Sequence, residues 1–77
     1  MIKAYVLIVA NPGATKDVFT TLEKVAGVVA CYEVMGPYDI VAEIEVENLS
    51  DVPHILSESI RTIAGVESTT SLVTFPV

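Results

Sequence analysis

The chain is poor in positive charge, in cysteine and in aromatic side chains. Its 77 residues carry four Lys and Arg against ten Asp and Glu, a net charge of −6. Binding to duplex nucleic acid draws on clustered bases that displace counterions from phosphates. Lys3, Lys16, Lys24 and Arg61 are scattered along the chain, which argues against direct nucleic-acid binding. Cys31 is the single cysteine and His54 the single histidine. An internal disulfide is therefore excluded, and no Cys/His cluster exists to hold a structural metal. There is no Gly-rich phosphate loop, no Cys-x-x-Cys and no nucleophile elbow; nothing here favours an enzyme or calls for a cofactor. No apolar run approaches the roughly 18 residues of a membrane-spanning helix. The first ten residues do place Lys3 ahead of an apolar run, as a signal peptide does. That run is short and rich in β-branched residues, and Asn11-Pro12-Gly13 ends it as a loop would. It reads as a buried strand of a mature, cytoplasmic protein.

What the chain has in quantity is apolar surface. Apolar residues make up 52% and charged residues 18%, too apolar for a disordered segment and high for so small a monomer. The length fits one domain over residues 1–77. Residues 2–10 read as a strand and 13–26 as a helix, with Asn11 or Thr15 as its N-cap and Gly27 as its stop. Val18, Phe19, Leu22, Val25 and Ala26 recur at helical spacing and mark its buried side. Residues 28–36 read as a second strand. A tight turn at Pro37-Tyr38 leads to a third strand over 39–47, which pairs with the second. Ser50 is placed to cap a second helix with Pro53 in its first turn. Val52, Ile55, Leu56, Ile60 and Ile63 form its buried stripe, and Gly65 ends it. The last strand covers 67–75, and Pro76 stops it.

The order is β-α-β-β-α-β, and it contains a weak repeat. Val25-Ala26-Gly27-Val28 recurs as Ile63-Ala64-Gly65-Val66, 38 positions later. Two βαβ halves joined by a hairpin make a ferredoxin-like α+β fold, with an antiparallel four-stranded sheet and two helices on one face. The first strand is apolar at both parities, with Ile2, Val6 and Ile8 against Tyr5, Leu7 and Val9. The second repeats this weakly, with Val28, Tyr32 and Val34 against Val29, Cys31 and Met35. A one-sided sheet alternates apolar with polar; this one calls for a cover on both faces. The helices supply one, and a second subunit is expected to supply the other. On the third strand Glu43, Glu45 and Glu47 share a face. Their spacing of about 7 Å is too wide for one ion, so a solvated rim is the simpler reading.

Two stretches carry polar groups suited to a small ligand. Gly36-Pro37-Tyr38-Asp39 is able to present backbone amides to an anion as a nest does, or simply to build the hairpin with Asp39 as its cap. Near the far end, Thr69 and Ser71 lie on one face of the last strand and Ser68 and Thr70 on the other. Hydroxyls that donate and accept suit a zwitterion, and Thr is also an ordinary strand residue. His54 has Glu58 four residues on, a pairing common on exposed helices. Cys31 reads as a small buried hydrophobe.

In this order and spacing, Ala26-Gly27-Val28, Gly36-Pro37-Tyr38-Asp39 and Gly65-Val66 with Thr69 and Ser71 resemble the RAM domain, the effector-binding half of Lrp/AsnC transcriptional regulators. Ser71 stands where the family usually has Thr. Family regulators also carry an N-terminal helix-turn-helix, whereas here the first strand begins at Ile2, so the chain looks like a stand-alone RAM domain. The resemblance implies pairing through the sheets into an αβ-sandwich dimer, further assembly of dimers into rings, and a free amino acid bound between dimers. It assigns ligand binding to Gly36, Pro37, Tyr38 and Asp39, with Thr69 and Ser71 secondary. The amides of Tyr38 and Asp39 would hold the carboxylate, Asp39 or nearby carbonyls the ammonium, and Pro37 would only shape the loop. Full-length Lrp/AsnC regulators are the implied partners. Two other readings share the topology: an ACT-like module regulating an enzyme, and a small dimeric enzyme using His54 as base.

Overall fold

The computed structural model describes residues 1–75. Strand β1 (Ile2–Ala10) is followed by helix α1 (Thr15–Leu22), strands β2 (Val28–Glu33) and β3 (Ile40–Val46), helix α2 (Asp51–Ile55) with a π-helical turn (Leu56–Ile60), and strand β4 (Val66–Val73). The sheet order is β2-β3-β1-β4, and every pairing is antiparallel. This is the expected ferredoxin-like βαββαβ arrangement, in which β1 and β3 are central.

Period-two alternation decides which side of the sheet is buried. Ala4, Val6, Ile8 and Ala10 of β1 and Ile40, Ala42, Ile44 and Val46 of β3 point into the core. Val18 and Leu22 of α1, Val52 of α2 and Ile60 of the π turn cover them, with Phe19, Ile55, Leu56 and Ile63 packed at the margin. The helical spacing thus marks the faces as read from sequence for Val18, Phe19, Leu22 and the stripe of α2, but not for Val25 and Ala26, which lie past the end of α1, Ala26 being exposed. Burial of each large side chain stabilises the fold by about 1.5–3 kcal/mol.

Several boundaries and caps differ from expectation. Helix α1 stops at Leu22 rather than at residue 26, because the chain tightens there. The amides of Lys24 and Val25 reach back three residues, to Thr21 and Leu22, as short 3₁₀ turns do. Neither Asn11 nor Thr15 caps α1; Ala14 occupies that position without a side-chain hydrogen bond. Ser50 does stand at the N-cap of α2, but its hydroxyl caps nothing. Instead the Asp51 carboxylate accepts from the Asn48 amide at 3.3 Å. The second helix is not uniformly α: the Arg61 amide bonds to the Leu56 carbonyl, five residues back, at 2.8 Å. That wider turn lets Leu56 and Ile60 both reach the core. Strand β4 runs from Val66 to Val73, and Pro76, read as its stop, lies outside the described residues.

Strand β2 corrects a facial assignment. Val28 pairs with Ile44, but the next pair is Ala30 with Glu43. Val29 is the extra residue of a β-bulge, and a bulge shifts parity by one. Val28 and Cys31 therefore pack against the core, while Tyr32, expected beside Val28, pairs with Val41 on the opposite face. The face away from the helices carries Tyr5, Leu7, Val9, Tyr32, Val41 and Leu72. Tyr32 is 56% exposed and Leu72 54%, a contiguous apolar surface of the kind that marks an interaction site.

Candidate functional site

The hairpin between β2 and β3 is a loop over residues 34–39, not a tight turn at Pro37-Tyr38. Strand β2 ends at Glu33 and β3 starts at Ile40. The loop is closed by the Val34 amide donating to the Asp39 carbonyl at 3.0 Å. Gly36 and Pro37 are exposed, Tyr38 and Asp39 half-buried, and Met35 is almost fully exposed.

Asp39 anchors this loop to the central strand. Its amide donates to the Ile8 carbonyl at 2.9 Å, and its Oδ2 accepts from the Ala10 amide at 2.8 Å. A carboxylate accepting a backbone N–H is a charge-assisted bond, stronger than a neutral one. The Asp39 amide is thus engaged within the fold, so of the two amides considered for an anion only that of Tyr38 has no backbone partner among the described residues. The second carboxylate oxygen, Oδ1, has no protein partner among them either.

Thr69 and Ser71 lie on the helix side of β4, opposite Ile8 and Val6. Ile40, Ile8 and Thr69 form one row across β3, β1 and β4. With strands about 4.8 Å apart, Asp39 and Thr69 sit at the same end of the sheet, separated by about 10 Å. Ser71 is two pairs further from that end. The fold therefore brings the loop and Thr69 to one edge of the molecule, but not into contact. The Thr69 hydroxyl is engaged by a residue the sequence reading passed over: Arg61 Nε donates to Thr69 Oγ1 at 3.2 Å. The available signal was that Arg61 is the sole arginine and ends the helix that leads back to β4.

The remaining candidates assemble little. His54 is exposed, and among the described residues it pairs with no carboxylate. The described residues contain no group of three His, Cys, Asp or Glu side chains placed to hold a metal. Glu43 pairs with Lys3 at 3.6 Å, but its side chain is only 18% exposed, so the solvated rim read from sequence holds for Glu47 and not for Glu43, which lies within the open face between Tyr5 and Ala30. Cys31 is half-buried; burial pushes its thiol above the ordinary value, and the nearby Glu23 carboxylate adds to this.

Comparison with known proteins gives a consistent set. The family described as the Lrp/AsnC ligand binding domain matches residues 3–76. An uncharacterised helix-turn-helix-type transcriptional regulator of Pyrococcus furiosus is 36% identical over 75 residues, covering 94% of this chain but 50% of the relative. The chain thus spans about half the length of that curated relative. A crystal structure of a Thermus thermophilus protein superposes with a TM-score of 0.95 at 28% identity, covering 100% of this chain and 96% of that one. A feast or famine regulatory protein from M. tuberculosis, solved in complex with L-methionine, gives a TM-score of 0.84 at 28% identity, with 100% of this chain and 52% of that chain covered. No helix among the described residues is long and apolar enough to cross a membrane.

Proposed function

The chain belongs to the Lrp/AsnC ligand-binding domain family, and from that premise we propose that it binds a free amino acid, self-associates through the open face of its sheet, and modulates Lrp/AsnC-type regulators in the cytoplasm without touching DNA itself. The ligand-binding family model matches residues 3–76, nearly the whole of these 77 residues. With a net charge of −6 the electrostatic attraction to phosphate is unfavourable. An effect on transcription would therefore run through a DNA-binding partner.

The observation that carries this reading is the loop held at Asp39. Bonds from Asp39 to Ile8 and Ala10 fix the loop on the central strand, so its ordering cost is met before a ligand arrives. The Tyr38 amide is left to receive a carboxylate, and Asp39 Oδ1 an ammonium. Thr69, at the same end of the sheet, and Ser71, two pairs further in, are secondary contacts. Gly36 (φ +130°) and Pro37 shape the turn. The L-methionine bound to the M. tuberculosis relative supports an amino acid as the ligand class. Tyr32, Leu72 and their neighbours on the open face supply the apolar surface for a dimer, from which rings of dimers would grow.

A thermal-shift screen against the twenty amino acids tests the function directly. A ligand at a hundredfold excess over its dissociation constant stabilises the fold by about 2.7 kcal/mol. No shift with any amino acid would sink the sensing role. Calorimetric titration of Asp39→Ala with the best amino acid then tests the loop. Loss of a charge-assisted hydrogen bond should weaken binding by roughly ten- to a hundredfold, and unchanged affinity removes Asp39 from the site.

A further inference from the structure

The internal repeat builds the same small pocket twice, and only one copy has the chemistry of a binding site. The first pocket, about 130 Å³, is lined by Glu23, Val28, Val29, Ala30 and Cys31. The second, about 290 Å³, is lined by Arg61, Val66, Glu67, Ser68 and Thr69. Each residue of the second lies 38 positions after its counterpart in the first, the same offset that relates Gly27 to Gly65. The backbone cause is shared as well. Val29 is the extra residue of the bulge in β2. In β4, Val9 pairs with Ser68 and Ala10 with Val66, so Glu67 is the extra residue there. A bulge leaves one residue unpaired and re-aims its neighbours, and in both halves this opens a recess between the helix end and the strand.

The occupants of equivalent positions differ in a systematic way. The helix end carries Glu23 in the first pocket and Arg61 in the second. The bulged residue is Val29 in one and Glu67 in the other, and the strand residues are Ala30 and Cys31 against Ser68 and Thr69. One pocket thus has an acid beside a thiol. The other has a guanidinium, a carboxylate and two hydroxyl residues in about twice the volume. Arg61 is also oriented: its Nε–H is engaged by Thr69 Oγ1 at 3.2 Å, and no carboxylate pairs with it among the described residues, where Lys3–Glu43 is the ion pair present. Of the five N–H donors of a guanidinium, this leaves the terminal fork, the group that grips a carboxylate in bidentate fashion. The bonded Thr69 hydroxyl acts as acceptor toward Arg61 and keeps its own proton to donate.

We propose that the Arg61–Glu67–Ser68–Thr69 pocket is a second ligand site, binding the zwitterion of a small α-amino acid with its carboxylate on Arg61 and Thr69 and its ammonium facing Glu67. It takes its ligand class from the amino-acid reading above and competes with the loop for Thr69, but its other groups, Arg61 and Glu67, lie across β1 from Gly36–Asp39. The β2 pocket is the built-in control, because the same backbone there lacks a carboxylate receptor.

A nitrogen–proton NMR titration of the full chain tests this, since a single arginine gives a single Nε–Hε signal. Added alanine should shift that signal and the Glu67–Thr69 amides saturably, and leave the Val29–Cys31 amides unmoved. Acetate, which lacks the ammonium, should bind at least tenfold more weakly. Arg61→Gln should abolish the response, Arg61→Lys should weaken it at least tenfold, and Glu67→Gln should bring alanine down to the affinity of acetate. Arg61 is exposed, so these variants should keep the remaining amide spectrum, which verifies that they fold. If alanine moves only the Gly36–Asp39 amides, the pocket assignment is overturned and the loop reading stands. If Arg61 responds and the loop does not, the pocket is supported and the loop loses its role. Silence at both places with alanine, and with the best amino acid of the thermal screen, overturns both.

Discussion

The two βαβ halves share a backbone plan and differ in what fills it. Gly27 and Gly65 each end a helical segment at nearly the same positive φ, +96° and +98°, and each backs onto the helix of the other half. A Cβ at Gly27 would meet Ile55 Cδ1 at 3.0 Å, the far end of a flexible side chain. A Cβ at Gly65 would meet Ala14 Cβ at 2.8 Å and Val18 Cγ2 at 3.1 Å. Neither of those can swing away. The bulges, Val29 and Glu67, recur at the same offset. The helices recur only at their very ends, where Val25 reaches back to Leu22 and Ile63 to Ile60 in the same short turn; before that turn α1 is α-helical, whereas α2 runs into a π turn over Leu56–Ile60. A repeated fold thus fixes where recesses and close approaches occur. Individual side chains decide which approach tolerates change and which recess has a use.

The sharpest way to break this comparison is to add a methyl group to each glycine. Left-handed backbone costs an ordinary residue about 1–2 kcal/mol, and overpacking adds about 1–3 kcal/mol. Gly65→Ala should therefore lose about 2–5 kcal/mol in urea denaturation, and Gly27→Ala about 1–2 kcal/mol, since Ile55 can change rotamer. Equal losses would show that the two approaches are equivalent after all. Next in size is the open face, to which both halves contribute an edge. Tyr32→Glu on β2 and Leu72→Glu on β4 should each weaken self-association by about 2–4 kcal/mol, read by light scattering over a dilution series. A clean 8.2 kDa species for the unaltered chain at micromolar concentration would remove the dimer altogether.

The anchor at Asp39 has no counterpart in the other half. Asp39→Ala leaves the Ala10 amide without its carboxylate and should lower stability by about 1.5–3 kcal/mol, seen as a fall in melting temperature. The smallest effect concerns Cys31, whose equivalent is Thr69. Its raised pKa keeps the thiol neutral, so alkylation should be slower than for a free thiol at the same pH, and Glu23→Gln should speed it modestly. The linked stability has a definite sign. Cys31 contributes fully below the thiol pKa of the unfolded chain, and the contribution is lost as pH rises through the higher folded value. Alkylation as fast as in the unfolded chain would place the thiol in solvent.

The strand and helix order, the central strands and the core faces of α1 and α2 were legible in the sequence, because period and turn chemistry are local signals. Val18, Leu22, Val52 and Ile60 lie where their spacing puts them. The bulges were not legible. Val29 and Glu67 are extra only relative to β3 and β1, and register with a distant strand is a tertiary property. That is why strict alternation puts Tyr32 on the wrong side of β2. The caps failed for a related reason: Asn11, Thr15 and Ser50 are good capping residues, but the chain direction set by the sheet brings no helix amide to their side chains. At the candidate site the motif marked Asp39, yet its anchoring to Ile8 and Ala10 depends on β1, about thirty residues upstream. Arg61 stood out only once β4 was placed beside the helix end.

Strand β1 is made first and completed last. It lies between β3 and β4, and its partners are far along the chain, Ile2 with Val46 and Ala4 with Val73. During synthesis its apolar stretch must wait for β3 before any ladder can form on it, and for β4 before both its edges are closed. Pairing across such separations slows folding and leaves an uncovered strand open to wrong partners in the meantime. A nascent chain halted before β4 would hold β1 with one edge bare. The exposure is therefore greatest before β3 emerges, when both edges of β1 are bare, and it persists on one edge until β4 pairs.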